Sequence, residues 1–180
     1  VSDFGAAVAI IEDKKVLLTQ REDFEVWCLP GGSADRGEAA AMVAVREARE
    51  ETGLHVALER LVGLYSRTGD LNGGHLALFA ARMTGGNPQP QTGEVIDMGW
   101  FAPDALPADM FWWHRPMVEH AFHGATGAVW TMHVEPPEPV ASRRELYTLR
   151  DRSGLSRVEF YRYYFEQPGN YMHPAVTHQP

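Results

Sequence analysis

Glu47, Glu50 and Glu51 follow Arg46 in a stretch, Glu38 to Thr52, that contains neither glycine nor proline. On a helix turning about 100° per residue, these three carboxylates fall within about a third of the circumference. Carboxylates that close repel one another unless something positive stands among them. Oxygen donors at this density suit a hard cation such as Mg²⁺, which keeps part of its water and binds substrate phosphates as well. Gly31 and Gly32, just upstream, let the backbone come close enough to present a carbonyl or an amide to the same ion. Arg46, beside Glu47, could fix that carboxylate by a charge-assisted hydrogen bond. A solvated acidic helix face with Arg46 and Arg49 as surface partners is the alternative for any such charge run. The rest of the segment argues against it. Ala39, Ala40, Ala41, Met42, Val43, Ala44, Val45 and Ala48 leave few positions for solvent, so the helix is expected to be buried on more than one side. Buried carboxylates in a cluster need pairing or a metal.

The elements that position this helix are legible around it. Ala6 to Ile11 and Val16 to Leu18, separated by Glu12-Asp13-Lys14-Lys15, predict a β-hairpin. A loop from Arg21 to Pro30 leads into Gly31-Gly32. The helix spans Glu38 to Thr52, and Gly53 stands where a left-handed cap falls. Val56 to Tyr65, His75 to Met83 and Glu94 to Phe101 predict three more strands, divided by loops rich in Gly, Asn and Pro. Pro103 to Pro107 reads as a turn or helical stub, and Pro116 to His123 as a short helix. The pattern is α+β, not a regular βαβα alternation.

Gly32, Glu38, Arg46, Glu47, Glu50, Glu51 and Gly53 stand in the spacing G-x5-E-x7-R-E-x-x-E-E-x-G, closed by Leu54. This stretch resembles the Nudix box, the signature of MutT-like hydrolases that cleave nucleoside diphosphates linked to another moiety. Ala48 replaces the larger aliphatic residue usual in the family. Trp27-Cys28-Leu29-Pro30 resembles the family's approach to the box. Glu94 with Gly99-Trp100-Phe101 and Pro103 resembles its last core strand and following turn, so the likeness covers Phe4 to Gly124.

The resemblance implies an α/β/α sandwich around a mixed sheet. It also implies Mg²⁺, with Mn²⁺ as a substitute, held by Glu47, Glu50 and Glu51 with the Gly31 carbonyl assisting. Glu38 would complete the outer metal shell, and Arg46 would orient Glu47. In such a mechanism the ions neutralise the diphosphate and a carboxylate takes the proton of the attacking water. Family members use either a box glutamate or one from a later loop. Glu94, after Gln91-Thr92-Gly93, is the later candidate here, with an ordinary strand-edge role as the alternative. A ligand-binding sensor on the same fold is the rival from another class, although a pure binder has no need of three clustered glutamates. Isoprenoid diphosphate isomerisation, which related folds perform, needs a catalytic cysteine, and Cys28 lies in the wrong place for it.

Other residues carry weaker signals. Phe24, Trp27 and Tyr65 could stack on a nucleobase, or pack in the core. Arg21 could reach a phosphate. His114, Glu119, His120 and His123 do not match H-E-x-x-H, Pro116 interrupts them, and packed or surface imidazoles are expected. Cys28 reads as a small core residue.

At 180 residues the chain has room for one core of roughly 100–150 residues and an appendage. The expected division is residues 1–134 as the hydrolase domain and 135–180 as an extension opening with the stiff linker Glu135 to Pro139. Ser142-Arg143-Arg144-Glu145 and Ser156-Arg157-Val158-Glu159 fit capping boxes for two short helices punctuated by Gly154, with a hairpin at Ser153-Gly154 as the competing reading. Gly169 to Pro180 is expected to be a frayed tail. Six arginines between Arg143 and Arg162 oppose Glu145, Asp151 and Glu159, and they interleave with aromatic residues. Phe160, Tyr161, Tyr164 and Phe165 share a helical face expected to dock on the body or on a second subunit, giving a homodimer. Binding of single-stranded nucleic acid is the alternative.

The whole-chain balance is 16 Lys+Arg against 24 Asp+Glu, a net charge of -8, which disfavours general nucleic-acid or anionic-membrane affinity but not a small phosphorylated nucleotide carried with a cation. The one cysteine precludes an intramolecular disulfide. No apolar run approaches the ~20 residues of a membrane span, and no signal peptide opens the sequence, so a cytoplasmic setting is the expectation.

Overall fold

The continuous apolar run Ala6 to Ile10 lies in the middle of β1 (Phe4–Glu12), and every residue of it is buried. A run without polar alternation belongs to a strand covered on both faces. In the computed structural model, which describes residues 4–69, 73–90 and 93–175, β1 runs through the middle of the sheet. Asp13 and Lys14 take positive φ, 47° and 61°, the twist that suits a two-residue hairpin turn, and β2 (Lys15–Arg21) returns antiparallel. Two short strands, β3 (Trp27–Cys28) and β4 (Gly31–Ser33), precede the box helix α1 (Ala40–Thr52). The predicted strands follow as β5 (Leu54–Thr68), β6 (Gly74–Gly86) and β7 (Val95–Phe101).

Four strands were not expected: β3 and β4 fall where a loop and turn were read, and two more come later in the chain. β8 (Ala128–His133) runs parallel to β5, and β9 (Tyr171–Pro174) pairs antiparallel with β8. The expected frayed tail is therefore corrected over Tyr171 to Pro174, and residues 176–180 lie outside the described residues. Neither segment has a pattern strong enough to declare a strand by itself; each owes its state to its neighbour in the sheet. The order is β3-β2-β1-β6-β5-β8-β9, with β4 also on β1 and β7 also on β2. The β1–β6 and β5–β8 pairs are parallel and the others antiparallel, so the sheet is mixed.

Period-two alternation divides β1 between two layers. Ala6, Val8 and Ile10 meet Val43, Ala44 and Ala48 of α1. Ala7 and Ala9 face the other layer, with Met117 and Val118 of α2 (His114–Phe122) and the aromatic residues of the C-terminal helices. The result is the α/β/α sandwich that the resemblance implied. α2 begins at His114 rather than Pro116, so Pro116 sits inside the first turn and does not interrupt it. α1 is buried on one stripe only, with Ala39, Ala41, Met42, Arg49 and Glu50 exposed, which corrects the expectation of burial on several sides. Alanine tolerates either environment, and its number was a poor guide to burial.

The extension forms α3 (Arg143–Arg152) and α4 (Arg157–Phe165), separated by Gly154 at φ 73°, so the two-helix reading holds over the hairpin. Ser156 and Glu159 form the complete capping box. Ser142 caps α3, while Glu145 reaches the Ala141 N–H at 2.8 Å instead of the Ser142 N–H. Phe160, Tyr161, Tyr164 and Phe165 are buried against Phe24, Leu29, Phe111, Trp113 and Met117 of the body. The aromatic face thus docks within its own chain. The linker is pinned as well: Tyr164 Oη donates to the Glu138 carbonyl at 2.9 Å, and the Glu135 N–H donates to Asn170 Oδ1 at 2.8 Å.

Truncation after Val134 should not leave a stable body. Each lost core aromatic costs about 3–5 kcal/mol, and four of them exceed or match the roughly 5–15 kcal/mol net stability of a domain. The expected result is aggregation or a raised mass by light scattering. A soluble truncated monomer with an unchanged melting curve would show the packing to be dispensable.

Candidate active site

Gly31 is required by the backbone packed against it, and at Gly32 a side chain would displace the Glu47 carboxylate. A side chain at Gly31 would strike the Ala6 carbonyl on β1 at 2.5 Å, and one at Gly32 would strike the Glu47 carboxyl carbon at 2.6 Å. β4 is thereby pressed between β1 and α1, and the Gly31 N–H donates to Glu51 Oε2 at 3.1 Å. Gly53, at φ 72°, ends α1 with its N–H on the Arg49 carbonyl, and Leu54 enters β5 directly. The left-handed cap expected at Gly53 is in place.

Arg46 ties the exposed side of the box together. Its Nε and Nη2 donate to the two oxygens of Glu38 at 2.9 Å each, Nη1 donates to Glu47 at 2.6 Å and to Glu50 at 3.0 Å, and Nη2 reaches the Ser33 carbonyl at 3.1 Å. Glu38 also accepts from the Asp35 N–H at 3.0 Å. The Arg46 guanidinium foremost, then that N–H, holds the Glu38 carboxyl down to about 2. Because Glu38 is engaged in front of the helix, α1 starts at Ala40 and not at Glu38.

Glu51 differs from the others. It is 7% exposed, and burial pushes its carboxyl up to about 8, against the lowering pull of the Gly31 N–H and of Arg21. Glu47 is also raised, by burial first, with Arg46 opposing. The charge of Glu94 adds to the upward push on both Glu47 and Glu51. The structure therefore brings Glu94, more than forty positions away in the chain, into the electrostatic reach of the box. Its backbone is anchored where the Glu94 carbonyl accepts from the Glu22 N–H at 2.8 Å, beside the register shift between Gln20 and Arg21 in the β2–β7 pairing. Gln91 and Thr92, which precede it, lie outside the described residues.

The donor set suits a hard divalent cation: carboxylate oxygens from Glu47, Glu50 and Glu51 on one helix, with one guanidinium shared at the edge. Among the described residues, no three His, Cys, Asp or Glu side chains are already gathered at ligating distance. Glu47 and Glu50 point to Arg46 and would have to turn from it to a metal.

Of the expected substrate residues, Phe24 and Tyr65 are corrected. Phe24 is 4% exposed among Tyr147, Phe160 and Phe165, and Tyr65 is fully buried with its hydroxyl on His120 Nδ1 at 2.9 Å. Neither has a face to offer a base. Arg21 is held by Asp23 in a two-point pair at 2.9 and 2.5 Å and lies over the Phe111 ring, so its guanidinium is not presented to a phosphate. Trp27 is half-buried, edge-on to Phe101 with ring centres 4.9 Å apart.

Cys28 is buried beside Thr19 with its thiol pushed up to about 12, as a core residue should be. His114 is buried too, lowered to about 3 by burial, and its Nδ1 accepts the Leu29 N–H at 3.0 Å, fixing α2 against the strand that leads into the box. That structural role was not singled out from the sequence. The contacts of the extension with Glu22 and Asp23 were not anticipated either; the signal available was an acidic loop, Glu22-Asp23-Phe24-Glu25, and a surplus of arginine far downstream.

The sandwich and the box together define a Nudix hydrolase, and comparison agrees: the chain matches the NUDIX domain over residues 3–121 and belongs to that family. It is 39% identical over 107 residues to a Bacillus subtilis protein that carries the provisional name 8-oxo-dGTP diphosphatase, covering 59% of this chain and 70% of that one. It is 32% identical over 101 residues to a MutT-like protein of Streptomyces ambofaciens, covering 56% of this chain and 64% of that one. Among solved structures, an ADP-ribose pyrophosphatase of Streptococcus suis superimposes with a TM-score of 0.58 at 26% identity, over 67% of this chain and 90% of the other. No described helix is long and apolar enough to cross a membrane.

Proposed function

We propose that the chain is a Mg²⁺-dependent pyrophosphohydrolase that cleaves the diphosphate linkage of a nucleoside diphosphate derivative, working in the cytoplasm. The observation that carries this reading is the box itself: Arg46 gathers Glu38, Glu47 and Glu50 by hydrogen bonds, while the Gly31 N–H holds the buried Glu51 beside them. Glu47, Glu50 and Glu51 would hold the metal, with the Gly31 carbonyl assisting and Glu38 in the outer shell. The ion, Mg²⁺ or Mn²⁺, would neutralise the diphosphate and lower the barrier to attack by water.

The remaining work belongs to side chains of this protein. Arg46 keeps Glu47 and Glu50 together at the edge of the site, and each would turn from it to take up the metal. A glutamate, Glu94 or a box residue, accepts the proton as the water oxygen bonds to phosphorus and the bridging P–O bond breaks. Trp27 is the residue left from the expected set to border the substrate.

Purine nucleoside triphosphates are the first substrates to try, because the B. subtilis relative is named for 8-oxo-dGTP. Nucleotide sugars and ADP-ribose come next. A phosphate-release screen over these classes should show hydrolysis with Mg²⁺ or Mn²⁺ that EDTA abolishes. Tight binding of one of these nucleotides without turnover under any metal would replace the enzyme by a sensor.

A further inference from the structure

The acidic loop between β2 and β3 carries Glu22, Asp23 and Glu25, and three arginines from the extension meet it. Arg143 lies 3.6 Å from Asp23, Arg150 Nη1 donates to the Asp23 carbonyl at 2.6 Å, and Tyr147 Oη donates to Asp23 Oδ2 at 2.9 Å. Arg157 on α4 makes the most exacting contact. Its Nη1 donates to the Glu22 carbonyl at 2.5 Å and to Glu22 Oε1 at 2.6 Å, holding the backbone and the side chain of one residue together. The N–H of that same residue donates to the Glu94 carbonyl. The loop itself is tightly closed: the Glu25 N–H and the Arg21 carbonyl meet at 2.9 Å, and Glu25 takes φ 55°. A pull at Glu22 is therefore passed on rather than absorbed.

We propose that Arg157 is a positioning residue, which sets Glu94 against the box carboxylates by clamping Glu22. The helix bearing it lies beyond residue 121, where the NUDIX match ends. The extension is in this way part of the frame of the site and not an appendage. Loss of a residue that orients a reacting or ligating group typically costs about 10- to 100-fold in activity or metal affinity.

The inference rests on the hydrolase reading, and its test separates the two. Full-length wild type, Arg157→Ala, Arg157→Lys and Arg162→Ala are compared for kcat and KM on a substrate found in the phosphate-release screen. Arg162 is the control, since it docks α4 to Asp109 by an ion pair away from the loop. Arg157→Ala should lose about 10- to 100-fold in kcat with KM little changed. Arg157→Lys should recover part of the loss, and Arg162→Ala should stay within about twofold of wild type. In parallel, Mn²⁺ titrated into ¹⁵N-labelled protein should broaden the Glu94 amide together with those of Glu47 and Glu50 in wild type, and leave Glu94 sharper in Arg157→Ala while the box amides still broaden.

Normal kcat and unchanged Glu94 broadening in Arg157→Ala would overturn the proposal, as would equal losses in Arg157→Ala and Arg162→Ala. If Arg157→Ala does not fold, Arg157→Lys and Glu22→Gln carry the test: each must show a reduced kcat with wild-type KM, and wild-type kcat in both would overturn it. A wild type that hydrolyses nothing and shows no broadening at the box would instead reject the hydrolase reading.

Discussion

Glu51→Gln should lose turnover by about 10²–10⁴-fold while keeping the fold, the equivalent of several kcal/mol of metal-borne charge stabilisation at about 1.4 kcal/mol per tenfold. The substitution preserves shape and the Gly31 N–H contact, since the amide oxygen can accept as the carboxylate does. What it removes is the one box charge that lies almost wholly inside the protein.

A second readout follows from that burial. In the metal-free protein Glu51 is raised from 4.5 to about 8, so the folded state holds this proton more tightly than the unfolded chain. Its contribution to stability is complete below the unfolded value and is lost as pH rises through the folded one. Metal-free wild type should therefore show a Tm that falls between pH 4.5 and about 8, and Glu51→Gln a flatter profile. Saturating Mg²⁺ should restore wild type at the upper end, because a ligand that binds only the folded state stabilises it. Full activity in Glu51→Gln would end the metal assignment, and parallel pH profiles would end the account of its burial.

Glu94→Gln should depress kcat by about 10²–10⁴-fold, the usual worth of a positioned general base, with the Mg²⁺ dependence of the rate nearly unchanged. Glu47, Glu50 and Glu51 remain to hold the ion, so proton transfer and metal binding come apart in this variant. If Glu94 were a ligand instead, the Mg²⁺ titration would shift to higher concentration and excess Mn²⁺ would return part of the rate. A rate within a few-fold of wild type would move the base role to Glu47 or Glu50. Glu94 is held just ahead of β7 by the hydrogen bond from the Glu22 N–H to its carbonyl, so the variant leaves its backbone anchor in place.

The box helix, its αL cap at Gly53, the two capped helices of the extension and the α+β class were all legible in the residues. Each is a matter of short-range chemistry: the 3.6-residue period decides which carboxylates share a face, and a cap is decided within four positions. What lay beyond the sequence was long-range. Phe24 and Tyr65 have the residue types of a base-stacking site, and only packing against α4 and α2 puts them in the core. Ala128 to His133 and Tyr171 to Pro174 become strands because β5 and then β8 offer an edge. Glu94 reaches the box only because β7 pairs with β2, and Arg157 reaches Glu22 across 135 positions of chain. Spacing along a helix is a property of the segment; proximity between segments depends on the closing of the whole sheet and core, and no local pattern records it.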